Sequence, residues 1–80
     1  MTKVVWGDSD LDGKVSEVLQ GCGATSEAAA MAANTVFRRL RDPGVVLGIT
    51  RVRASLQRLV DAHFVKKTSG AQPKYYLRKA

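Results

Sequence analysis

Three aspartates near the start of the chain alternate in a way that could hold a cation. Asp8, Asp10 and Asp12 are spaced like the first ligands of an EF-hand calcium loop, and a glycine follows the third. The loop also needs an entering helix and a bidentate carboxylate at position twelve, which is Leu19 here. The aspartates are better explained as the first turn of a helix, where each negative charge is favourable by roughly 0.3–1 kcal/mol. We predict no metal site and no other cofactor.

Catalytic chemistry has little support in the sequence. The one histidine, His63, and the one cysteine, Cys22, are far apart in sequence, and no glycine-rich phosphate loop is present. We expect His63 on the inner or flanking side of a helix, and we predict that the chain is not an enzyme. A single cysteine forms no internal disulfide, and no apolar run is long enough for a membrane span or a signal peptide. We therefore expect a cytoplasmic protein, associated with the nucleoid if the chain is bacterial or from a phage.

The basic residues are concentrated in the second half of the chain. The 80 residues have a formal net charge of +6. Residues 1–40 carry four basic and five acidic side chains, whereas residues 41–80 carry nine basic and two acidic ones. A one-sided positive surface attracts polyanions, of which nucleic acid is the first to consider. The alternative is that the charge serves solubility alone.

The segment "TRVRASLQRLVDAHF" predicts an amphipathic helix that starts at a Thr50 cap. Val52, Leu56, Leu59 and Val60 fall on one side of it, and basic and polar residues fall on the others. A helix fits the major groove of B-DNA, where an arginine can bond guanine, an amide can bond adenine, and a small residue can touch a thymine methyl. The candidate DNA-binding residues on this helix are Thr50, Arg51, Arg53, Ala54, Gln57 and Arg58.

The C-terminal segment predicts a basic β-hairpin. Two strand-like runs, 64–68 and 74–79, flank a connection that contains Gly70 and Pro73. Tyr75 and Leu77 should face the core opposite Val65. The donors on this hairpin suit phosphates, which position a protein without reading sequence. The candidate DNA-binding residues here are Lys66, Lys67, Thr68, Ser69, Gln72 and Lys74, with Arg78 and Lys79 as further donors.

Three helices must position these side chains. Apolar spacing predicts helices over 9–22, 26–41 and 50–63, with Leu11, Val15, Val18, Leu19 and Cys22 forming the inner stripe of the first. Ser9 and Asp12 resemble a capping box at its start, and Gly21 and Gly23 should end it. The alanines at 28–33 favour helix. The apolar run at 45–49 should be buried as a short strand or a short helix and turn.

The resulting fold class is α+β, mainly α: three helices followed by a C-terminal hairpin, in one domain that spans residues 1–80. Residues 1–8 form an N-terminal arm and residues 64–79 the hairpin. The stretch "LGITRVRASLQRLVDAHFVKKTSGAQPKYYLRKA" at 47–80 resembles the winged helix-turn-helix family, with His63 where the family often has glycine and with Phe64 at a usual apolar place. The resemblance implies sequence-specific binding of double-stranded DNA, commonly as a dimer, with the third helix in the major groove and the wing on the backbone.

A variant of this family recognises left-handed Z-DNA. Pro73 and Tyr75 resemble its wing proline and aromatic residue, but Arg53 and Gln57 stand where that variant has asparagine and tyrosine. Our leading hypothesis is therefore a small, stand-alone transcriptional regulator. The alternatives are an architectural or excisionase-like factor of a mobile element, a winged helix that contacts another protein, and a binder of RNA or single strands. The last usually needs exposed aromatic residues, for which Tyr76 and Trp6 are the candidates.

Overall fold

Three helices and three short strands make up the fold. The computed structural model describes residues 3–78, so Met1, Thr2, Lys79 and Ala80 lie outside the described residues. A 3-10 turn at Glu27–Ala29 follows the first helix. The other elements, in chain order, are α1 (Asp8–Gly21), β1 (Met31–Ala32), α2 (Ala33–Leu40), α3 (Ile49–Asp61), β2 (Val65–Lys67) and β3 (Lys74–Leu77).

Helix α1 matches the predicted first helix, but its cap differs. Gly7 occupies the N-cap position and no side chain caps the helix, so the predicted capping box is wrong. At the other end, Gly23 has φ +71, and the N–H of Ala24 reaches the carbonyl of Leu19 at 2.8 Å. This Schellman-type turn redirects the chain. Cys22 is consequently exposed, and Ala24 is buried in its place.

The predicted helix over 26–41 is wrong in its first half. Alanines in this segment favour helix, but Met31 and Ala32 instead form strand β1, paired antiparallel with Tyr75 and Lys74 of β3. Burial of Met31 and hydrogen bonding to β3 outweigh local propensity, which is a weak preference of under 1 kcal/mol per residue. Helix α2 is therefore eight residues long and begins only at Ala33.

The segment before α3 also differs from expectation. Helix α3 begins at Ile49 with Gly48 at the N-cap, so Thr50 lies inside the first turn and does not cap it. The predicted burial of the run 45–49 holds only in part: Leu47 and Ile49 are partly buried against the core, whereas Val46 is 49% exposed. Val45 pairs with Val4 in an isolated parallel bridge, which places both at an edge of the fold.

The hairpin prediction is confirmed by the β2–β3 pair. Val65 pairs with Leu77 and Lys67 pairs with Tyr75, and β3 lies between β1 and β2 in the sheet. Val65 and Tyr75 are buried, while Leu77 is partly buried against the same core. The alternation along the strands thus places Val65, Tyr75 and Leu77 on the inner face and Lys66 on the outer face. Lys67, opposite Tyr75, shares the inner face but is exposed.

The helices enclose the core predicted from their apolar spacing. Leu11 and Val15 of α1, Val36 of α2, and Val52 and Leu56 of α3 are completely buried. The α+β class with three helices and a C-terminal hairpin is confirmed. None of the helices within residues 3–78 has the length and apolar character needed to cross a bilayer.

Helix α3 ends in the same turn as α1, but with His63 where α1 has Gly23. His63 has φ +65, and the N–H of Phe64 bonds the carbonyl of Leu59 at 3.0 Å. This explains why the resemblance expects glycine here. His63 is exposed, so its expected inner or flanking place is wrong; Phe64 is also exposed, at 64%.

We expect His63→Gly to stabilise the protein. Relief of the left-handed conformation is worth roughly 1–2 kcal/mol, and the extra freedom of glycine in the unfolded chain offsets about 0.5–1 kcal/mol of that. A net gain of about 0.5–1 kcal/mol should appear in urea unfolding. The matched control is Ala62→Gly, because Ala62 has φ −84 and should lose stability. Equal shifts in both variants would contradict the strain argument.

Candidate nucleic-acid interface

One face of α3 is directed away from the core. Thr50, Arg53, Ala54 and Gln57 are all exposed, and their spacing of three and four residues places them on one side of the helix. Val52 and Leu56 are buried on the opposite side. The structure thus brings these four predicted residues together on a single exposed surface, hereafter the α3 face.

Arg51 and Arg58 lie on a different flank, toward the start of α1. Arg51 donates to the backbone carbonyl of Trp6 at 2.6 Å and to the carboxylate of Asp8 at 3.4 Å. Arg58 donates through Nε and Nη2 to the two carboxylate oxygens of Asp12, at 3.2 and 2.8 Å. Both arginines are half-buried and paired with acidic side chains. The DNA-binding role suggested for them stays a prediction.

Asp12 anchors α1 to α3. Besides the two bonds from Arg58, it accepts a hydrogen bond from the hydroxyl of Ser55, which is completely buried. Burial alone would raise the pKa of Asp12, but the hydrogen bonds from Arg58 and Ser55 and the charge of Arg58 outweigh it, so this pKa lies below its ordinary value of 3.8. The bond to Asp12 correspondingly raises the pKa of Arg58. The pair is therefore fully charged at neutral pH.

These contacts give the alternating aspartates a structural role. Asp8 and Asp10 lie in the first turn of α1, as the helix-start interpretation predicts. Asp8 also lies 3.4 Å from Arg51 and 3.8 Å from Arg58. Within residues 3–78, no group of three potential ligand side chains is arranged to hold a metal ion.

An open groove of about 440 Å³ runs between α3, the start of α2 and the hairpin loop. Arg53 and Gln57 contribute one wall, and Pro73 and Tyr75 contribute another. Arg53 makes no ion pair or hydrogen bond with any residue between 3 and 78, so its guanidinium is available to a ligand. The groove combines a free cation, an amide and an aromatic ring; its lining residues are Ala32, Ala33, Asn34, Arg53, Gln57, Ala71, Gln72, Pro73 and Tyr75.

The hairpin residues fall into two groups. Lys66, Lys67 and Lys74 are exposed on the strands, where they pair with Tyr76, Tyr75 and Ala32 respectively. Thr68 closes the hairpin: its side-chain oxygen accepts from the N–H of Lys74 at 2.9 Å, and its own N–H donates to the carbonyl of Lys74. Ser69 and Gln72 are exposed in the loop, and of the six hairpin residues predicted to bind DNA, Gln72 is the one that lines the groove.

Sequence reasoning missed two residues of this site. Asn34 lines the groove from the first turn of α2. Its place depends on α2 beginning at Ala33 and not at residue 26, and the alanine-rich segment gave no sign of that start. Asp61 accepts a hydrogen bond at 2.9 Å from Nε2 of Gln57, one helical turn earlier. The spacing of four residues on a helix predicts contact between these two side chains. Asp61 therefore holds the amide nitrogen and leaves the carbonyl oxygen of Gln57 without an internal partner among the described residues.

Comparison with known proteins identifies the fold. No family model matches the sequence, and no curated protein matches it significantly. The solved structures to which the chain is similar include a viral Zalpha domain bound to left-handed Z-DNA and TubR from Bacillus megaterium pBM400. The Zalpha domain has a TM-score of 0.68 and 15% identity over 89% of this chain and 90% of that one. TubR has a TM-score of 0.71 and 21% identity over 86% and 72%.

The arrangement of α1, α2, α3 and the β2–β3 hairpin is that of a winged helix-turn-helix fold. The two similarities support this over most of the chain. Helix α3 occupies the third-helix position, and the β2–β3 hairpin is the wing. The structure also answers which helix comes second in the motif, namely α2 at Ala33–Leu40.

Proposed function

We propose that this chain binds double-stranded DNA, with the α3 face in the major groove and the wing on the phosphate backbone. The observation that carries the proposal is the exposed Arg53–Gln57 pair beside the wing, in an open groove and with no acidic partner on Arg53 among the described residues. The Zalpha neighbour, which has the same fold, was solved bound to DNA.

The side chains of the α3 face suit base edges. A guanidinium such as that of Arg53 can bond O6 and N7 of guanine, and the amide of Gln57 can pair with an adenine edge. Ala54 is small and exposed, so the helix backbone can approach a thymine methyl. The exposed lysines of the wing supply the phosphate contacts that fix the register of the protein.

We further propose that the protein is a transcriptional regulator that occupies two half-sites as a homodimer. One α3 helix covers about one half-site, so a symmetric pair of chains would read a palindrome. An architectural or excisionase-like factor would use the same surface, and would differ by bending its site. A circular-permutation gel-shift assay separates these roles. Only with an architectural factor, which bends its site, should the mobility of the complex depend strongly on where the site lies in the DNA fragment.

A second candidate function is recognition of left-handed Z-DNA. The similarity to the Zalpha domain spans 90% of that chain, and Pro73 and Tyr75 form one wall of the groove. Against it, Arg53 and Gln57 replace the asparagine and tyrosine that the resemblance expects. Circular dichroism of a (CG)n duplex decides between the two. Inversion of the spectrum on adding protein would favour Z-DNA, and an unchanged B-form spectrum with binding would favour the major-groove mode.

The direct test is selection of bound sequences from a random duplex pool, followed by anisotropy titrations of the winner at several salt concentrations. We expect one palindromic sequence to be enriched. If about five cations neutralise phosphates, log affinity should fall with log salt with a slope of roughly −4 to −5. Absence of enrichment, with micromolar binding governed only by salt, would contradict sequence-specific binding and favour a protein-contacting winged helix.

A further inference from the structure

A second set of basic side chains lies outside the α3 face and the wing. Arg38, Arg39 and Arg41 are exposed at the C-terminal end of α2. None of the three pairs with an acidic residue anywhere between residues 3 and 78. Asp42 follows them in sequence, but its carboxylate accepts a hydrogen bond from the N–H of Gly44 at 2.7 Å.

This distribution of unpaired charge differs from what the sequence halves indicate, because part of it lies in the first half. Four of the five acidic residues of the first half belong to α1, and two of them, Asp8 and Asp12, are paired with Arg51 and Arg58 of α3. The cations of α2 consequently remain uncompensated. Free positive charge is therefore present not only on Arg53 of the α3 face and on the wing lysines but also at the end of α2.

The geometry of α2 separates these arginines from one another. Asn34 lines the groove, and Val36 and Leu40 face the core. With 3.6 residues per turn, Arg38 lies about 40° from Asn34 round the helix and one turn further along it. Arg39 lies about 100° beyond Arg38, away from the groove. Arg38 thus lies nearer to the groove side of α2 than Arg39 does.

We propose that Arg38 contacts a backbone phosphate of the duplex whose base edges lie against Arg53 and Gln57. The inference rests on the proposed function and extends it, because it adds α2 to the α3 face and the wing as a third contact with the backbone. A guanidinium suits this contact, since its fork of donors matches the phosphate oxygens. The partner is the duplex that already occupies the groove, so no second nucleic acid is needed.

The experiment compares Arg38→Ala with Arg39→Ala on the selected duplex. Both variants remove one exposed arginine from the last turn of α2, so they lose equal net charge and equal interaction with the helix dipole. We expect Arg38→Ala to weaken binding about tenfold, as for loss of a charged hydrogen bond, and to reduce the salt slope by about 0.9. Arg39→Ala should keep the wild-type slope, and Arg38→Lys should restore it.

The outcomes distinguish this inference from the proposed function. Equal salt slopes for Arg38→Ala and Arg39→Ala, with wild-type binding intact, would overturn the inference and leave the α3 face and wing in place. Absence of wild-type binding to any duplex would overturn both. Thermal melts of the two variants should coincide, because both side chains are exposed, so a difference in DNA binding reports the contact.

Discussion

Replacement of both Arg53 and Gln57 by alanine is expected to abolish the sequence preference of this protein and to weaken binding to the selected duplex by about 2–6 kcal/mol. The magnitude follows from two base contacts, each worth about 1–3 kcal/mol of discrimination. Gel-shift titrations on the selected site and on a scrambled duplex should converge to the same weak affinity. The remaining affinity should come from the wing lysines and retain most of its salt dependence.

The effect should arise in binding and not in folding. Arg53 is exposed and contacts no partner among residues 3–78 through an ion pair, so its removal leaves no buried group unsatisfied. Gln57 donates one hydrogen bond to Asp61, and both side chains are exposed. Exposed positions of this kind usually change stability by less than about 0.5 kcal/mol.

The matched control removes the same residue types from elsewhere. Arg39→Ala with Gln20→Ala deletes one exposed arginine and one exposed glutamine from α2 and α1. It should leave the base preference intact. Unchanged affinity and site preference in the Arg53–Gln57 variant would show that α3 does not contact the bases, and would favour a protein-contacting function.

Local pattern was sufficient for α1, α3 and the wing. The apolar spacing of Leu11, Val15 and Leu19, and of Val52 and Leu56, leaves one consistent buried face per helix. The wing follows from alternating residues around a glycine-containing loop. These features depend on neighbours within a few residues, so the sequence alone specifies them.

Strand β1 and the burial of 45–49 depend on distant partners. Met31 pairs with Tyr75, which lies more than forty residues later in the chain. An alanine-rich segment contains no local pattern that predicts a two-residue strand. The run at 45–49 is apolar enough to be fully buried, yet only Leu47 and Ile49 of it pack partly against the core, and Val45 pairs with Val4 in an isolated bridge. In both places a long-range contact determines the outcome, and periodicity carries no information about it.

In the candidate site, too, local pattern predicts some features, and contacts between distant residues determine others. The α3 face could be predicted because it is set by the helix period. The pairing of Arg51 with Asp8 and of Arg58 with Asp12 could not, since the paired residues are separated by 43 and 46 positions. Net charge by sequence half was therefore a poor guide to free charge, because aspartates of α1 pair with two arginines of α3 and leave those of α2 uncompensated.

The contact between Asp12, Ser55 and Arg58 leads to the second large prediction. Asp12→Ala should lower the free energy of unfolding by roughly 1–3 kcal/mol, because the buried hydroxyl of Ser55 and the guanidinium of Arg58 both lose their acceptor. Asp10→Ala is the control: it removes the same charge from an exposed position in the first turn of α1. Urea unfolding at neutral pH measures both. Equal losses in the two variants would contradict a specific anchoring role.

The stabilisation by Asp12 should depend on pH, and it should be lost toward acid pH. The pKa of Asp12 is lower in the folded protein than its ordinary value of 3.8, so the unfolded chain takes up the proton first as the pH falls. The stabilisation is therefore complete above about pH 4 and is lost as the pH falls through the folded pKa. Wild type and Asp12→Ala should converge in stability at acid pH. Because Asp12→Ala also frees Arg58, its affinity for duplex DNA at low salt should rise if that arginine reaches a phosphate. Unchanged affinity would mean that Arg58 serves the α1–α3 contact alone.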